Sequence, residues 1–264
     1  MHLIPSFTLE GFYLGPVYVY VWGLTAAIGV LAAVLMAEKK VVSKNTLKNK
    51  FWNLAILLIL AVFLGARIFY ILETSNYYLA YPLAILKLWE GGFSFFGGVV
   101  GGVLAGWLWA KKNKIDFLIL GWVFTPAWLF GLFFGRVGCF LIHDHLGKPA
   151  DWPWSVFVSG AYRHEPALYE ALWVLIVGIV MLFLDDKYNG SCHPERAQRI
   201  EGSLLFFRIL FPLSLFLYSL GRFLFDFFRA NDPRYYNLTI AKWLCIIMTI
   251  GCLVAVTRTK NRKL

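Results

Sequence analysis

The stretch FFGRVGCFLIHDHLGKPAD, residues 133 to 151, sets Arg136 inside an apolar run and crowds His143, Asp144 and His145 at its end. A second stretch, YSLGRFLFDFFR, spaces Tyr218, Arg222 and Asp226 one helical turn apart among phenylalanines. A guanidinium is a planar fork of N–H donors that grips a carboxylate or phosphate through two bonds. An imidazole takes or gives a proton near neutral pH. A charge at the centre of an apolar span costs roughly 2.5–3.5 kcal/mol, so such side chains face a bundle interior or a polar cavity. Two readings fit the stripe of Tyr218, Arg222 and Asp226: ion pairs that lock helices together, or the lining of a pocket for an anionic headgroup. The second is favoured because Arg67, Arg136 and Arg222 bring guanidinia to one depth on separate spans. The His-Asp-His triplet reads either as a solvated loop cap or as titratable groups at the mouth of that pocket. A metal on the H-x-H pair needs a further ligand to which the sequence does not point. The four cysteines show no C-x-x-C spacing, so no metal, no disulfide framework and no cofactor is expected.

The elements that must position these residues follow from hydropathy. The chain of 264 residues is 59% hydrophobic and 18% aromatic, with a mean hydropathy of +0.66, which excludes an ordinary soluble domain. Apolar windows long enough to cross a bilayer fall at about 16–37, 51–72, 92–110, 117–142, 167–184, 203–228 and 239–257. The fold class expected is therefore all-α: a polytopic membrane protein of about seven transmembrane helices, forming a single membrane-embedded domain over 1–264. The segment YYLAYPLAILKLWEGG is too short to span and suits the interface. The first span is expected to be retained, since its flank lacks a basic n-region and a cleavage site.

The net charge of +10 resides in blocks between spans, which argues against a nucleic-acid partner. Lys39 to Lys50, Lys111 to Lys114, Lys187 to Arg199 and Arg258 to Lys263 all fall on one side of a seven-span chain. The positive-inside rule makes that side cytoplasmic, with the N-terminus outside, the C-terminus cytoplasmic and the Arg136 end of its span facing outward. Residues 185–202 read as a cytoplasmic insertion-like loop, whose His193 beside Cys192 is only a weak metal hint. On the third span Gly97, Gly98, Gly101, Gly102 and Gly106 form a small-residue face for helix packing, and Gly91 and Gly92, after Trp89 and Glu90, suit a turn.

These residues also carry a resemblance. GRVGCFLIHDHLG resembles the signature G-R-x-G-N-F-x-N-x-E-x-x-G of the prolipoprotein diacylglyceryl transferase family. VWGL, GARIFY, WEGGFSFFGG, RHEPALYEAL and YSLGRFLFDFFRANDP resemble its other motifs, in the same order along nearly the whole chain. The resemblance implies a seven-helix enzyme of the bacterial inner (cytoplasmic) membrane, with an active site opening toward the outer leaflet and periplasmic side. It implies transfer of the diacylglyceryl group of phosphatidylglycerol, a membrane lipid, to the lipobox cysteine of preprolipoprotein signal peptides, forming a thioether and releasing glycerol phosphate. The family's two essential arginines map onto Arg136 and Arg222. Tyr218, Asp226, Gly97, Gly98, Gly147 and Trp22 fall at substrate-binding positions.

The chain departs from the pattern where a proton must be taken. Phe96 stands for the histidine of the H-G-G motif, Cys139 and Ile142 for asparagines, Asp144 for glutamate and Trp22 for tyrosine. Either catalysis is lost and a lipid-binding homologue remains, or the base has moved to His143 or His145, with Asp144 orienting it. On a continuing helix those two histidines would lie on nearly opposite faces. A small transporter is a third reading, but it calls for an internal repeat that the sequence lacks.

Overall fold

The computed structural model describes residues 3–4, 7–44, 50–88, 91–189, 197–230 and 234–261. Lys48, Trp89, Glu90, Cys192, His193 and Arg196 lie outside them. The helices are α1 (Val21–Lys44), α2 (Phe51–Glu73), α3 (Ser75–Ala80), α4 (Phe95–Lys112), α5 (Phe117–Ile142), α6 (Pro166–Asn189), α7 (Ala197–Phe225) and α8 (Ile240–Asn261). Among the described residues α1, α2, α5, α6, α7 and α8 are long and apolar enough to cross a membrane. The remaining expected span is α4, whose 18 residues include five glycines and two lysines. The chain is thus a mostly helical polytopic membrane protein with six to seven candidate spans. Ile56, Leu60, Phe63 and Leu64 on α2 are each more than half exposed, an apolar surface that suits lipid and not water.

The expected loop at 185–202 is helical at both ends, because α6 continues to Asn189 and α7 begins at Ala197; residues 190–196 lie outside the described set. Three antiparallel hairpins add to the expected helices: β1 (Gly11–Leu14) with β2 (Val17–Tyr20), β3 (Val156–Val158) with β4 (Ala161–Arg163), and β5 (Arg234–Tyr235) with β6 (Leu238–Thr239). Ser159 and Gly160, at φ 53° and 79°, and Tyr236 and Asn237, at 52° and 63°, supply the paired left-handed residues of two-residue hairpin turns.

Residue contacts divide the chain into two units, Met1–Ala37 with Gly121–Leu264, and Glu38–Leu120. In the smaller unit α2 and α4 approach through small residues: a Cβ on Gly97 would overlap the Gly65 carbonyl, and one on Gly101 the Ala61 carbonyl. Ser94 enters α4 with its N–H on Ala66 O at 2.9 Å and its hydroxyl donating to Glu73 at 2.9 Å. Residues 75–86, in the stretch too short to span, form α3 and a short 3-10 turn at Pro82–Leu86.

In the larger unit Trp122 of α5 donates to Asp185 of α6 at 2.7 Å, and Trp173 of α6 donates to the Leu217 carbonyl of α7 at 2.8 Å. Gly221 is required beneath Trp173, where a Cβ would collide with the indole. Thr239 caps α8 by accepting the Lys242 N–H at 3.2 Å.

Candidate active site

Three helices of the larger unit deliver charge to one place. Glu170, on the first turns of α6, is 1% exposed, and a buried carboxylate persists only when its lone pairs meet cations or donors. Arg136 Nε from α5 lies 2.8 Å from its Oε2. Arg222 Nη1 from α7 bonds Oε1, and Arg229 Nη2 stands 3.4 Å from the same oxygen. Asp226, in the 3-10 turn Asp226–Phe228 that ends α7, lies 3.6 Å from Arg222 Nη2 and 3.5 Å from Lys242 Nζ. It also accepts the Thr239 hydroxyl at 2.6 Å. Lys242 lies 3.4 Å from the centre of the Phe227 ring. Tyr218, one turn before Arg222, is buried against Trp128 and its hydroxyl interacts with Arg136. Within this network Arg136, Arg222, Arg229 and Lys242 face Glu170 and Asp226, and the charge of Arg229 also reaches Glu165. The Arg136 and Arg222 side chains keep 12% and 11% of their surface accessible, so a ligand has an approach to both forks.

The histidine triplet is not helical. At the end of α5 the His143 N–H bonds Phe140 O at 3.3 Å and the Asp144 N–H bonds Cys139 O at 3.2 Å, with His143 at φ 52°. This is a Schellman cap built on histidine where glycine is usual. The strain of a left-handed histidine is offset by what its ring reaches. Nδ1 lies 2.8 Å from Glu165 Oε2 and Nε2 lies 2.7 Å from Phe7 O, and the residue is 6% exposed. The bond to Glu165 raises the His143 pKa above the usual histidine value, which suits an imidazolium donating at both nitrogens. Burial pushes the Glu165 carboxyl up, against the pull of His143. The separation of the two histidines therefore comes from this cap and not from opposite faces of a helix.

Asp144 and His145 follow the cap, with Asp144 Oδ2 at 3.5 Å from His145 Nε2. His145 keeps a third of its side chain accessible, and burial, followed by the charge of Arg229, lowers its pKa. The chain then pairs with the segment after α7. Gly147 bridges Arg229, Lys148 N–H bonds Phe228 O at 2.8 Å and Ala230 N–H bonds Leu146 O at 3.2 Å. Gly147 has no room for a side chain, because a Cβ would overlap the His164 carbonyl. That pairing sets the mouth beside the arginine cluster.

The structure thus brings Arg136, Arg222, Tyr218 and Asp226 together, with Asp144, His145 and Gly147 at the adjoining loop. Trp22 lies where α1 crosses α5, its Cδ1 3.2 Å from a Cβ built on Gly138. Gly97 and Gly98 belong to the smaller unit, within the α2–α4 contact. Arg67, also there, spends its donors on the carbonyls of Ala84, Ile85, Lys87, Gly91 and Gly92, which makes it a loop clamp. Glu170, Arg229, Lys242 and Glu165 are functional or supporting residues that the sequence reading does not single out. Glu170 carried a usable signal, a carboxylate at the head of the apolar run ALWVLIVGIVMLFL.

The family model described as prolipoprotein diacylglyceryl transferase matches residues 10–258. The phosphatidylglycerol–prolipoprotein diacylglyceryl transferase of Polynucleobacter asymbioticus is 37% identical over 202 residues, 73% of this chain and 71% of that protein. Proteins of the same name from Geobacter sulfurreducens and Halalkalibacterium halodurans are 33% and 27% identical, over 88% and 91% of this chain and 85% and 82% of theirs. With a match that runs from the first hairpin into the last turns of α8, the chain belongs to the prolipoprotein diacylglyceryl transferase family.

Proposed function

We propose that this chain transfers the diacylglyceryl group of phosphatidylglycerol to the thiol of a lipobox cysteine in a preprolipoprotein. The observation that carries the reading is the convergence of Arg136, Arg222 and Arg229 on buried Glu170 beside a polar mouth. In the reaction the thiol sulfur attacks the glyceryl carbon that bears the phosphate, an S–C bond forms and the C–O bond to phosphate breaks. The electron pair leaves on glycerol phosphate, so negative charge grows at the leaving oxygen. Guanidinia already aimed by Glu170 and Tyr218 neutralise that charge without reorganising, which is where preorganised electrostatics contribute most.

A thiol of ordinary pKa near 8.5 is mostly protonated at neutral pH, and Phe96 cannot accept its proton. Of the two histidines His143 has both nitrogens engaged, so the thiolate is generated at Asp144 and His145. The sidedness that fits is an opening to the outer leaflet of the bacterial cytoplasmic membrane, where a secreted signal peptide presents its cysteine.

Phe96 also favours a second reading, a lipid-binding homologue without catalysis. Purified protein supplied with phosphatidylglycerol and a lipobox peptide separates the two. Mass spectrometry is expected to find one diacylglyceryl group added to the cysteine, with none on a peptide carrying serine there. Saturable phosphatidylglycerol binding with no adduct would establish the second reading instead.

A further inference from the structure

We propose that Cys139, Asp144 and His145 form a zinc site whose open fourth position takes the acceptor thiol as thiolate. This rests on the transferase reading for its role, though the binding itself does not. The H-x-H pair does not act as a pair, because both His143 nitrogens are engaged, and the cap of α5 joins His145 to Asp144 and Cys139 instead. Its Asp144 N–H to Cys139 O bond folds the chain back, so that the Cys139 sulfur, an Asp144 oxygen and a His145 nitrogen lie within 4.8 Å of one another. Bonds of about 2.0–2.3 Å put the ligand atoms of a tetrahedral zinc ion about 3.5 Å apart. Asp144 and His145 already stand 3.5 Å apart. Closing on Cys139 asks a shift of about 1 Å from two side chains that follow the helix, one exposed and one half-buried.

The ligand chemistry is selective. Thiolate, imidazole and carboxylate together suit zinc, and three protein ligands with one position left open is the catalytic pattern, not the closed structural one. The neighbouring guanidinia of Arg136 and Arg229 do not forbid a dication. Zinc with one thiolate and one carboxylate is neutral, so filling the site adds a single positive charge beside them: the ion brings two and the Cys139 proton takes one away. Both guanidinia face the Glu170 carboxylate, which meets part of their charge.

Such an ion does the work that Phe96 cannot. Binding zinc releases the Cys139 proton to water, and a substrate thiol that ligates the metal gives up its proton likewise. The bound sulfur then forms its bond to the glyceryl carbon, and the phosphate oxygen departs with the C–O electrons toward Arg136 and Arg222. The thioether product is a poor ligand and leaves, and water or the next thiol replaces it.

Cobalt(II) is the direct probe. Chelator-treated protein in detergent is expected to bind one cobalt ion per chain and to show thiolate-to-cobalt charge-transfer absorption, displaced by zinc. Cys139→Ser should abolish that absorption, and Asp144→Asn and His145→Gln should each weaken zinc binding at least tenfold. An absorption that survives Cys139→Ser, or failure of the untouched chain to bind, overturns the site. Transfer to the lipobox peptide should fall at least tenfold on chelation and return with zinc. Full transfer by metal-free protein would overturn the ion's role while leaving the transferase reading intact. Stoichiometric binding without transfer at any zinc load would sink that reading and the role, and leave the metal site standing.

Discussion

His143 and His145 are two residues apart yet are asked to do different things. His143 bonds Glu165 and the Phe7 carbonyl from a buried left-handed position, so His143→Gln removes a charge-assisted pair and strands a buried carboxylate, at a cost of about 1–3 kcal/mol. The expected result is a lower unfolding midpoint in detergent, with the surviving folded protein close to normal turnover. His145→Gln should leave the midpoint nearly unchanged and reduce transfer by at least roughly 10²-fold, the scale of lost proton or thiolate chemistry. Equal effects of the two changes on both measurements would refute the division. Arg136→Lys and Arg222→Lys keep charge but lose the fork, and each is expected to lower transfer at least tenfold, about 1.4 kcal/mol in the barrier; normal turnover in both would remove the phosphate clamp. Arg136, Arg222, Tyr218 and Asp226 are legible from sequence because charge and hydroxyl inside an apolar run must face protein. Glu170 obeys the same rule. Lys242, two residues past the cap of α8, looks like an ordinary boundary lysine until Asp226 is folded against it. For the triplet the sequence leaves a loop cap and a titratable mouth as alternatives, and the division between a buried His143 at the cap and an accessible His145 beyond it is not legible, because a left-handed cap without glycine leaves no local mark.

At the scale of elements, long hydrophobic windows identify helices well because the bilayer imposes length and composition together. The hairpins escape, since strands of two to four residues at helix ends carry no period that can be counted. The glycine face of α4 is legible as packing, and the structure explains it at the level of atoms. Gly101 meets the Ala61 carbonyl, whereas Gly251 in α8 has nothing within 4 Å of a built Cβ. Gly101→Val is therefore expected to destabilise the protein by about 1–3 kcal/mol through overpacking. Gly251→Ala should be neutral or add up to about 1 kcal/mol, through reduced backbone freedom in the unfolded chain. Thermal unfolding in one detergent measures both, and a Gly101→Val protein as stable as the parent would mean that α2 and α4 do not pack through this face.

For the whole molecule the remaining question is which way it sits, and the larger unit offers a geometric argument. Arg136 lies six residues before the end of α5, about 9 Å by helical rise, while Glu170 opens α6, Arg222 closes α7 and Lys242 opens α8. The cluster thus collects one end of four helices. The far ends carry Lys187 in the last turns of α6 and Arg258 in those of α8. If the positive-inside rule holds for these residues, as the proposed transfer requires, the cluster and its mouth face the outside. That is also the side on which a translocated signal peptide and outer-leaflet lipid are available. Single cysteines introduced into a cysteine-free background test the orientation in intact cells with a membrane-impermeant thiol reagent. Positions 148–152, beside the mouth, should label from outside, and positions 45–48 and 190–197 only after the membrane is breached. The reverse pattern would turn the molecule over and place the arginine cluster on the cytoplasmic face, where the proposed transfer would meet its peptide before export and not after it.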